Sequence, residues 1–354
     1  MKTTFLFFLA LLINLSTIHA QEEAKPVGDP IVFETSHEGT FHGVKMRYKA
    51  ISGETHLKNE SGEPIAALWS TAYLKEDPNP GKRPVTFIFN GGPGSASVWL
   101  HMGVFGPKVV NVDSDAKEDD GAAPFEVIHN DLALLDITDL VFVDPIGTGF
   151  STVIGKGKTE DFWGLMEDAR SIAQFMRLWI TQHQRWQSPK YIAGESFGTT
   201  RAAAVTAALE GGGQTMALNG LILISQALDY QGSTSAHDNI ASYFTYFPTM
   251  AATAWYHGKA GQGKRLQDFV QEAREFAYGE YLTSLYMGNQ LSTSEKSAVA
   301  SKISYFLGLN PEYVLRSENR ILTSRFKKEL LRAEGKTIGT LDGRYLGEEG
   351  DQTA

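Results

Sequence analysis

A serine hydroxyl attacks a carbonyl only when its surroundings expose it and take up its proton. One stretch of this chain has the residues for the first of those tasks. Lys190-Tyr191-Ile192-Ala193-Gly194-Glu195-Ser196-Phe197-Gly198 joins a short β-type run to a Gly-x-Ser-x-Gly pattern, and the Ala-rich segment 199–209 that follows reads as a helix. A serine set between the end of a strand and the start of a helix is a nucleophile elbow. The tight turn strains the serine backbone and pushes its hydroxyl clear of the sheet. Gly194 and Gly198 leave room for such a turn. A pattern this short also occurs by chance, and it gains weight here from the strand before it and the helix after it.

The second task, removal of the proton, needs a histidine held by a carboxylate, and on such a scaffold both follow the serine in the chain. Only His237 and His257 come after Ser196. Both fall in a stretch that reads as helical, whereas the base is expected on a loop after a later strand of the sheet, so neither is assigned. The oxyanion donors are easier to place. One is expected from the backbone N–H of Phe197 and the other from the glycine-rich loop 90–94. His101 lies in an apolar context near that loop and reads as a packed histidine rather than a base, and Asp144 as a residue that orders its own Pro-Gly loop.

These groups must be positioned by a sheet. Unbroken apolar runs at 85–89, 140–143 and 220–224 have the character of parallel strands covered on both faces. The first two end in glycine-rich loops, and ligands of open α/β sheets bind at those carboxyl ends. Shorter β-type runs at 31–35, 40–51 and 64–74 predict an antiparallel ribbon at one edge. A long helix capped by Thr159 is expected to bury Phe162, Met166, Ala169, Ala173, Met176 and Ile180. Strand, helix, strand, helix, strand in succession predicts a doubly wound α/β fold. After Ser225 the segments 236–258, 264–279, 280–287, 292–307 and 322–334 all read as helices, a block suited to lie over the site as a cap.

The domain reading follows: a signal peptide at 1–20, a polar mature terminus at 21–29, an α/β core at 30–235, an inserted helical cap at 236–340, and the start of a further core segment at 341–354. The leader has an apolar run behind a single Lys2 and ends at His19-Ala20, which points to export; an uncleaved anchor competes, since Ile18 is large for a cleavage site. The chain has 354 residues, 42% of them hydrophobic, enough for a substantial core. A net charge of −9 without a basic run argues against nucleic acid or an anionic membrane as partner. Without a single cysteine, disulfides and thiolate metal sites are excluded, and no cofactor or metal is called for.

Asn90-Gly91-Gly92-Pro93-Gly94-Ser95, Asp144-Pro145-Ile146-Gly147-Thr148-Gly149-Phe150-Ser151 and Gly194-Glu195-Ser196-Phe197-Gly198 resemble, in order and spacing, three signatures of the serine carboxypeptidase family of α/β-hydrolases. The flavour is that of a secreted bacterial branch. The resemblance implies a mostly parallel sheet with a helical cap, Ser196 as nucleophile, and Gly92 and Phe197 as oxyanion donors. It further implies that Asn90 and a protonated Glu195 read the terminal carboxylate of a peptide substrate. Three departures accompany it. Ile88 stands where the family has a tryptophan, Val104 where it has a second carboxylate-reading glutamate, and Ser95 where many members carry a disulfide cysteine. Leu341-Asp342-Gly343-Arg344 resembles the stretch just after the cap, so the catalytic aspartate and histidine are expected beyond Ala354, and the chain reads as truncated, with the C-terminal strands of the sheet missing and its hydrolase activity expected to be impaired. Two other functions share the elbow: a serine esterase or acyl transferase, which has no need of Glu195, and a non-catalytic peptide-binding relative.

Overall fold

A computed structural model describes residues 27–348 apart from 78, 113–114, 117–122 and 212–214, together with residue 350. The leader read at 1–20 and most of the polar stretch 21–29 lie outside the described residues. The core is an eight-stranded sheet. Its strands are β1 (Val32–Phe41), β2 (Val44–Lys58), β3 (Pro64–Lys75), β4 (Val85–Phe89), β5 (Asp139–Val143), β6 (Lys190–Glu195) and β7 (Gly220–Ile224), with the short Thr152–Val153 paired to β3. They run in the spatial order β1-β2-β3-β5-β4-β6-β7.

The first three strands form the antiparallel ribbon, which meets β5 antiparallel, while β5, β4, β6 and β7 run parallel. The ribbon is longer than its sequence signal. The break read between 35 and 40 is continuous strand, and His42 and Gly43, both at positive φ, instead close a tight hairpin between β1 and β2 inside the run read at 40–51. Its outer strand is mostly exposed, with Ile31, Val32 and Phe33 facing solvent.

The winding follows from the handedness of parallel crossovers. From β4 the chain moves to β5 on one side; from β5 it passes back over β4 to β6 and on to β7. The two directions send the connections to opposite faces. On one face Phe87, Phe89, Val141, Val143 and Ile192 pack against helices α1 (Leu165–Gln182) and α2 (Phe197–Glu210). On the other, Ile88, Leu140, Phe142 and Ala193 meet Phe41, Tyr48, Leu100 and Leu135 from the ribbon and the β4–β5 connection. The carboxyl ends of β4 and β6 therefore flank the switch point, where open α/β sheets bind ligands.

Helix α1 begins later than the sequence suggests. Residues Thr159–Phe162 form a separate tight turn, Gly164 precedes the helix, and Met166 is exposed. The buried stripe runs instead through Ala169, Ile172, Ala173, Met176 and Ile180.

The helical block has a core of its own, centred on Phe247, Phe269, Phe276, Tyr281 and Phe306. The single helix expected over 236–258 is two, Ile240–Thr245 and Phe247–Tyr256. The helices expected at 264–279 and 280–287 are joined by a wide turn, Ala277–Tyr281, that keeps the chain helical. At Thr293–Leu307 the predicted cap is present: Ser292 Oγ accepts from Glu295 N, and Glu295 reaches back to Ser292 N. Two short strand pairs had no sequence signal, Lys108–Val110 with Val127–His129 and Lys336–Ile338 with Leu346–Glu348.

At the far edge of the sheet, β7 pairs only with β6 among the described residues. Leu221, Ile222 and Leu223 are each 39% exposed. No helix of the described residues is long and apolar enough to cross a membrane.

Candidate active site

Ser196 follows β6 directly and precedes α2, with φ 55° and ψ −124°. That left-handed conformation is uncommon for a residue with a side chain, and strain of this kind persists only where the surroundings enforce it. The surroundings are backbone. A Cβ on Gly194 would lie 2.5 Å from the carbonyl carbon of Gly198, and one on Gly198 would lie 2.9 Å from Phe89 O and 3.0 Å from Asn90 O. Ser196 N donates to Ile224 O at 3.0 Å, so the elbow also hangs on β7. Thr199, fully buried, donates from Oγ1 to Ser196 O at 2.7 Å and accepts from Ala227 N at 2.8 Å.

The glycine loop after β4 presses onto the elbow from the other side. A Cβ on Gly91 would fall 2.4 Å from Phe197 N and 2.7 Å from Gly198 N. Only glycine permits that approach. Gly92 at φ +104° then turns the loop back, and Ser95 N closes it on Gly91 O at 3.2 Å. Gly92 and Phe197 thus belong to adjoining segments, and Phe197 opens α2, where backbone N–H groups have no partner within the helix and the dipole favours negative charge.

Asn90, 2% exposed, has its side-chain amide fixed at both ends. Its Oδ1 accepts from Leu100 N at 3.0 Å, and its Nδ2 donates to Glu195 Oε2 at 3.1 Å. A backbone N–H can only donate, so Oδ1 must face Leu100 and the NH2 group must face Glu195. The structure therefore brings Asn90, Gly92, Glu195, Ser196 and Phe197 into one cluster at the switch point. Leu100 is held in turn by a one-turn helix, Val98–Leu100, that widens into the turn His101–Phe105.

His101 closes that turn from beneath. Its ring stacks on Phe142 with centroids 4.2 Å apart, and Nε2 bonds the Tyr73 hydroxyl at 2.7 Å. Burial lowers the imidazole to about 4 and pushes the Tyr73 phenol up to about 12. The histidine is neutral packing, as its apolar context suggests. Asp144 does more than order its own loop: its Oδ1 accepts from both Ser97 N and Ser97 Oγ at 2.8 Å, fastening the segment after the glycine loop.

The two histidines downstream of the serine have other partners. His257 Nε2 bonds Gly343 O at 2.7 Å, and the His237 carbonyl accepts from Tyr243 OH at 3.2 Å. Among the described residues no histidine ring is hydrogen-bonded to Ser196. Of the departures noted in the sequence, Ile88 is buried in the core of one sheet face, and Val104 is half exposed on the turn after Leu100.

Sequence reasoning missed Arg201 and Asp168. Arg201 is 2% exposed, and its Nε donates to Asp168 Oδ2 at 2.6 Å. Burial raises the Asp168 carboxyl, an effect that the Arg201 charge opposes. The available signal was spacing: Arg201 follows Phe197 by four residues, one turn along the same helix face, in an otherwise Ala-rich segment. Among the described residues no group of three or more histidine and acidic side chains could hold a metal ion.

A sequence model described as serine carboxypeptidase matches residues 67–326, well over half of the chain. The chain belongs to the serine carboxypeptidase family. Sheet, elbow and winding make it an α/β hydrolase, as the motifs implied. Among curated relatives, serine carboxypeptidase-like 20 of Arabidopsis thaliana is 27% identical over 186 residues, covering 52% of this chain and 34% of the relative. Serine carboxypeptidase-like 33 of the same plant is 25% identical over 211 residues, 55% of this chain and 38% of the relative. The chain thus spans little more than a third of the length of these relatives. Among solved structures it is similar to a prohormone-processing carboxypeptidase of Saccharomyces cerevisiae, at 19% identity and a TM-score of 0.44 over 78% of this chain and 54% of that one.

Proposed function

We propose that this serine carboxypeptidase family member releases residues from the carboxyl ends of peptides through an acyl-enzyme on Ser196. The observation that carries the reading is the Asn90–Glu195 pair, with its donor edge fixed beside a strained serine. A terminal carboxylate bound there meets the Asn90 NH2 directly. Glu195 joins only by keeping a proton, because two carboxylates repel. The scissile carbonyl one residue inward then faces Ser196. Oγ bonds to the carbonyl carbon, its proton passes to a base, and the oxyanion is held by the N–H groups of Gly92 and Phe197. Collapse breaks the C–N bond, the amine leaves with a proton as the free terminal amino acid, and water hydrolyses the acyl-serine. The stretch 1–20, read as a signal peptide, supports export, with the mature enzyme periplasmic or secreted and without stable insertion in the membrane.

Treatment of a version that carries the aspartate and histidine implied by the family resemblance with a fluorophosphonate, followed by peptide mass spectrometry, should put the label on Ser196, and matched peptides with free and amidated termini should be turned over by it only when the terminus is free. Label on another serine sinks the assignment. Equal turnover of both peptides supports an esterase or acyl transferase, and binding without turnover supports a non-catalytic peptide-binding relative. N-terminal sequencing of the exported protein should begin at Gln21.

A further inference from the structure

The two oxyanion segments come from different strands, and their relative position has to be held to a fraction of an ångström to matter. Gly92 follows β4 and Phe197 follows β6, and the contact between them at Gly91 and Gly198 is backbone against backbone, which repels when too close but does not by itself hold. The β4–β6 ladder ends at Phe89 and Gly194, Asn90 bonds Glu195, and beyond these one further side chain ties the loop to the helix. Arg201 Nη1 donates to Asn90 O at 2.6 Å, Nε donates to Asp168 Oδ2 at 2.6 Å, and the guanidinium lies 5.5 Å from the Phe89 ring centroid and 5.3 Å from that of Phe197. One planar cation thus touches the end of β4, the first residue of α2 and the first turn of α1.

We infer that Arg201, anchored by Asp168, is a positioning residue that sets the spacing between the Asn90-Gly91-Gly92 segment and the Phe197 N–H, and through it the geometry of the oxyanion site. The inference rests on the reading of Ser196 as nucleophile and deepens it. Guanidinium is suited to the task because its rigid fork serves two acceptors at once while its faces meet aromatic rings. An ammonium on a flexible stem reaches one acceptor or the other. The Asn90 carbonyl is also close to the point where Gly198 packs, so losing its donor leaves a buried acceptor unpaired beside the elbow. Asp168 fixes the direction of the fork rather than touching the site.

The test compares wild type, R201K, R201M and D168N in the full chain. Fluorophosphonate labelling of Ser196 is measured as a saturation curve, which separates affinity for the reagent from the rate of the bonded step, and amide hydrogen exchange is followed at 89–94 and 196–198 with the helix Leu266–Phe276 as internal control. The expected result is a fall of ~10–100-fold in the bonded step with affinity within ~3-fold, as for a site displaced by a fraction of an ångström or weakened at one donor. R201K should melt near wild type and still label slowly, because charge is restored and the fork is not. Exchange at 89–94 and 196–198 should rise at least tenfold in R201M and R201K with the cap helix unchanged. R201K labelling at the wild-type rate overturns the inference, as does unchanged exchange at the two segments. Exchange that rises everywhere, with loss of melting temperature in every variant, also overturns it by marking Arg201 as general scaffolding. If wild type itself fails to label, no base activates Ser196 in it, and the positioning role is decided by the exchange data alone.

Discussion

Replacing Gly91 by alanine adds one methyl group where the glycine loop meets the elbow. That carbon would sit 2.4 Å from Phe197 N, 2.6 Å from Glu195 O and 2.7 Å from Gly198 N. Ordinary contact begins at about 3.5 Å, so the two segments must part by about 1 Å, and all three obstructing atoms are backbone. Overpacking of this kind costs about 1–3 kcal/mol of stability. The larger effect falls on chemistry: a displacement of about 1 Å at a reacting centre costs on the order of 10²-fold, which lies at the edge of what losing an oxyanion donor costs outright. The assay is the rate of fluorophosphonate labelling of Ser196 beside thermal melting, with two other glycines as controls. Gly94→Ala meets nothing within 4 Å but forces a methyl onto φ +101°, so it should lose ~1–2 kcal/mol of stability while labelling stays close to wild type. Gly103→Ala meets nothing and has no such φ, and should be neutral in both. Wild-type labelling by G91A would refute the reasoning. Equal losses in G91A and G94A would show that backbone strain, not the closeness of the two segments, sets the rate.

Glu195→Gln should slow turnover of free-acid peptides, while ester hydrolysis stays within ~3-fold; equal loss on both substrates would mean a structural role for Glu195. His101 is held near 4 in the fold against 6.5 when exposed, so the unfolded chain takes the proton first. Stability is full above about pH 6.5 and falls by up to ~3 kcal/mol as pH drops toward 4, and melting curves of H101Q should lack most of that slope. At the opposite end of the sheet, Asp139 accepts from Arg83 Nε at 2.8 Å and Arg185 Nη1 at 2.6 Å, all three nearly inaccessible. Asp139→Asn should cost ~3–5 kcal/mol in urea unfolding, because it leaves two buried guanidinium groups without a counter-charge; a loss under ~1 kcal/mol would show that water reaches the cluster.

The elbow was legible because its signal is local: a strand, two glycines that only a tight turn requires, and an Ala-rich helix within one short stretch. Its positive φ at Ser196 is what such a sequence demands. The meeting of Asn90 with Glu195 was not legible from local pattern, since 105 positions separate them in the chain and the pairing depends on which strands become neighbours. It entered through resemblance, and the sheet order supplies the physical reason. Arg201 escaped because a lone cation in a helix ordinarily faces water, and nothing at its own position reveals that Asp168 of α1 and the Asn90 carbonyl await it. The start of α1 escaped for a different reason. Thr159 and its acidic neighbours make a plausible cap, yet Gly164 interrupts the run and the signal was spent on a separate turn. The short pairs at Lys108–Val110 and Lys336–Ile338 are below the length at which alternation can be told from chance.

The open side of β7 bears on how copies of the protein behave toward one another. Among the described residues no strand pairs with that side, and with the partly exposed Leu221, Ile222 and Leu223 it forms a template on which a second copy adds a strand, with no lysine or proline in β7 to blunt it. The net charge of −9 on each copy opposes that pairing by long-range repulsion. That repulsion reaches about 30 Å at 0.01 M salt and about 3 Å at 1 M, so added salt removes the barrier and strengthens apolar association together. Light scattering should therefore show particles growing as ionic strength rises, and a charge placed on the edge by Ile222→Lys should suppress the growth.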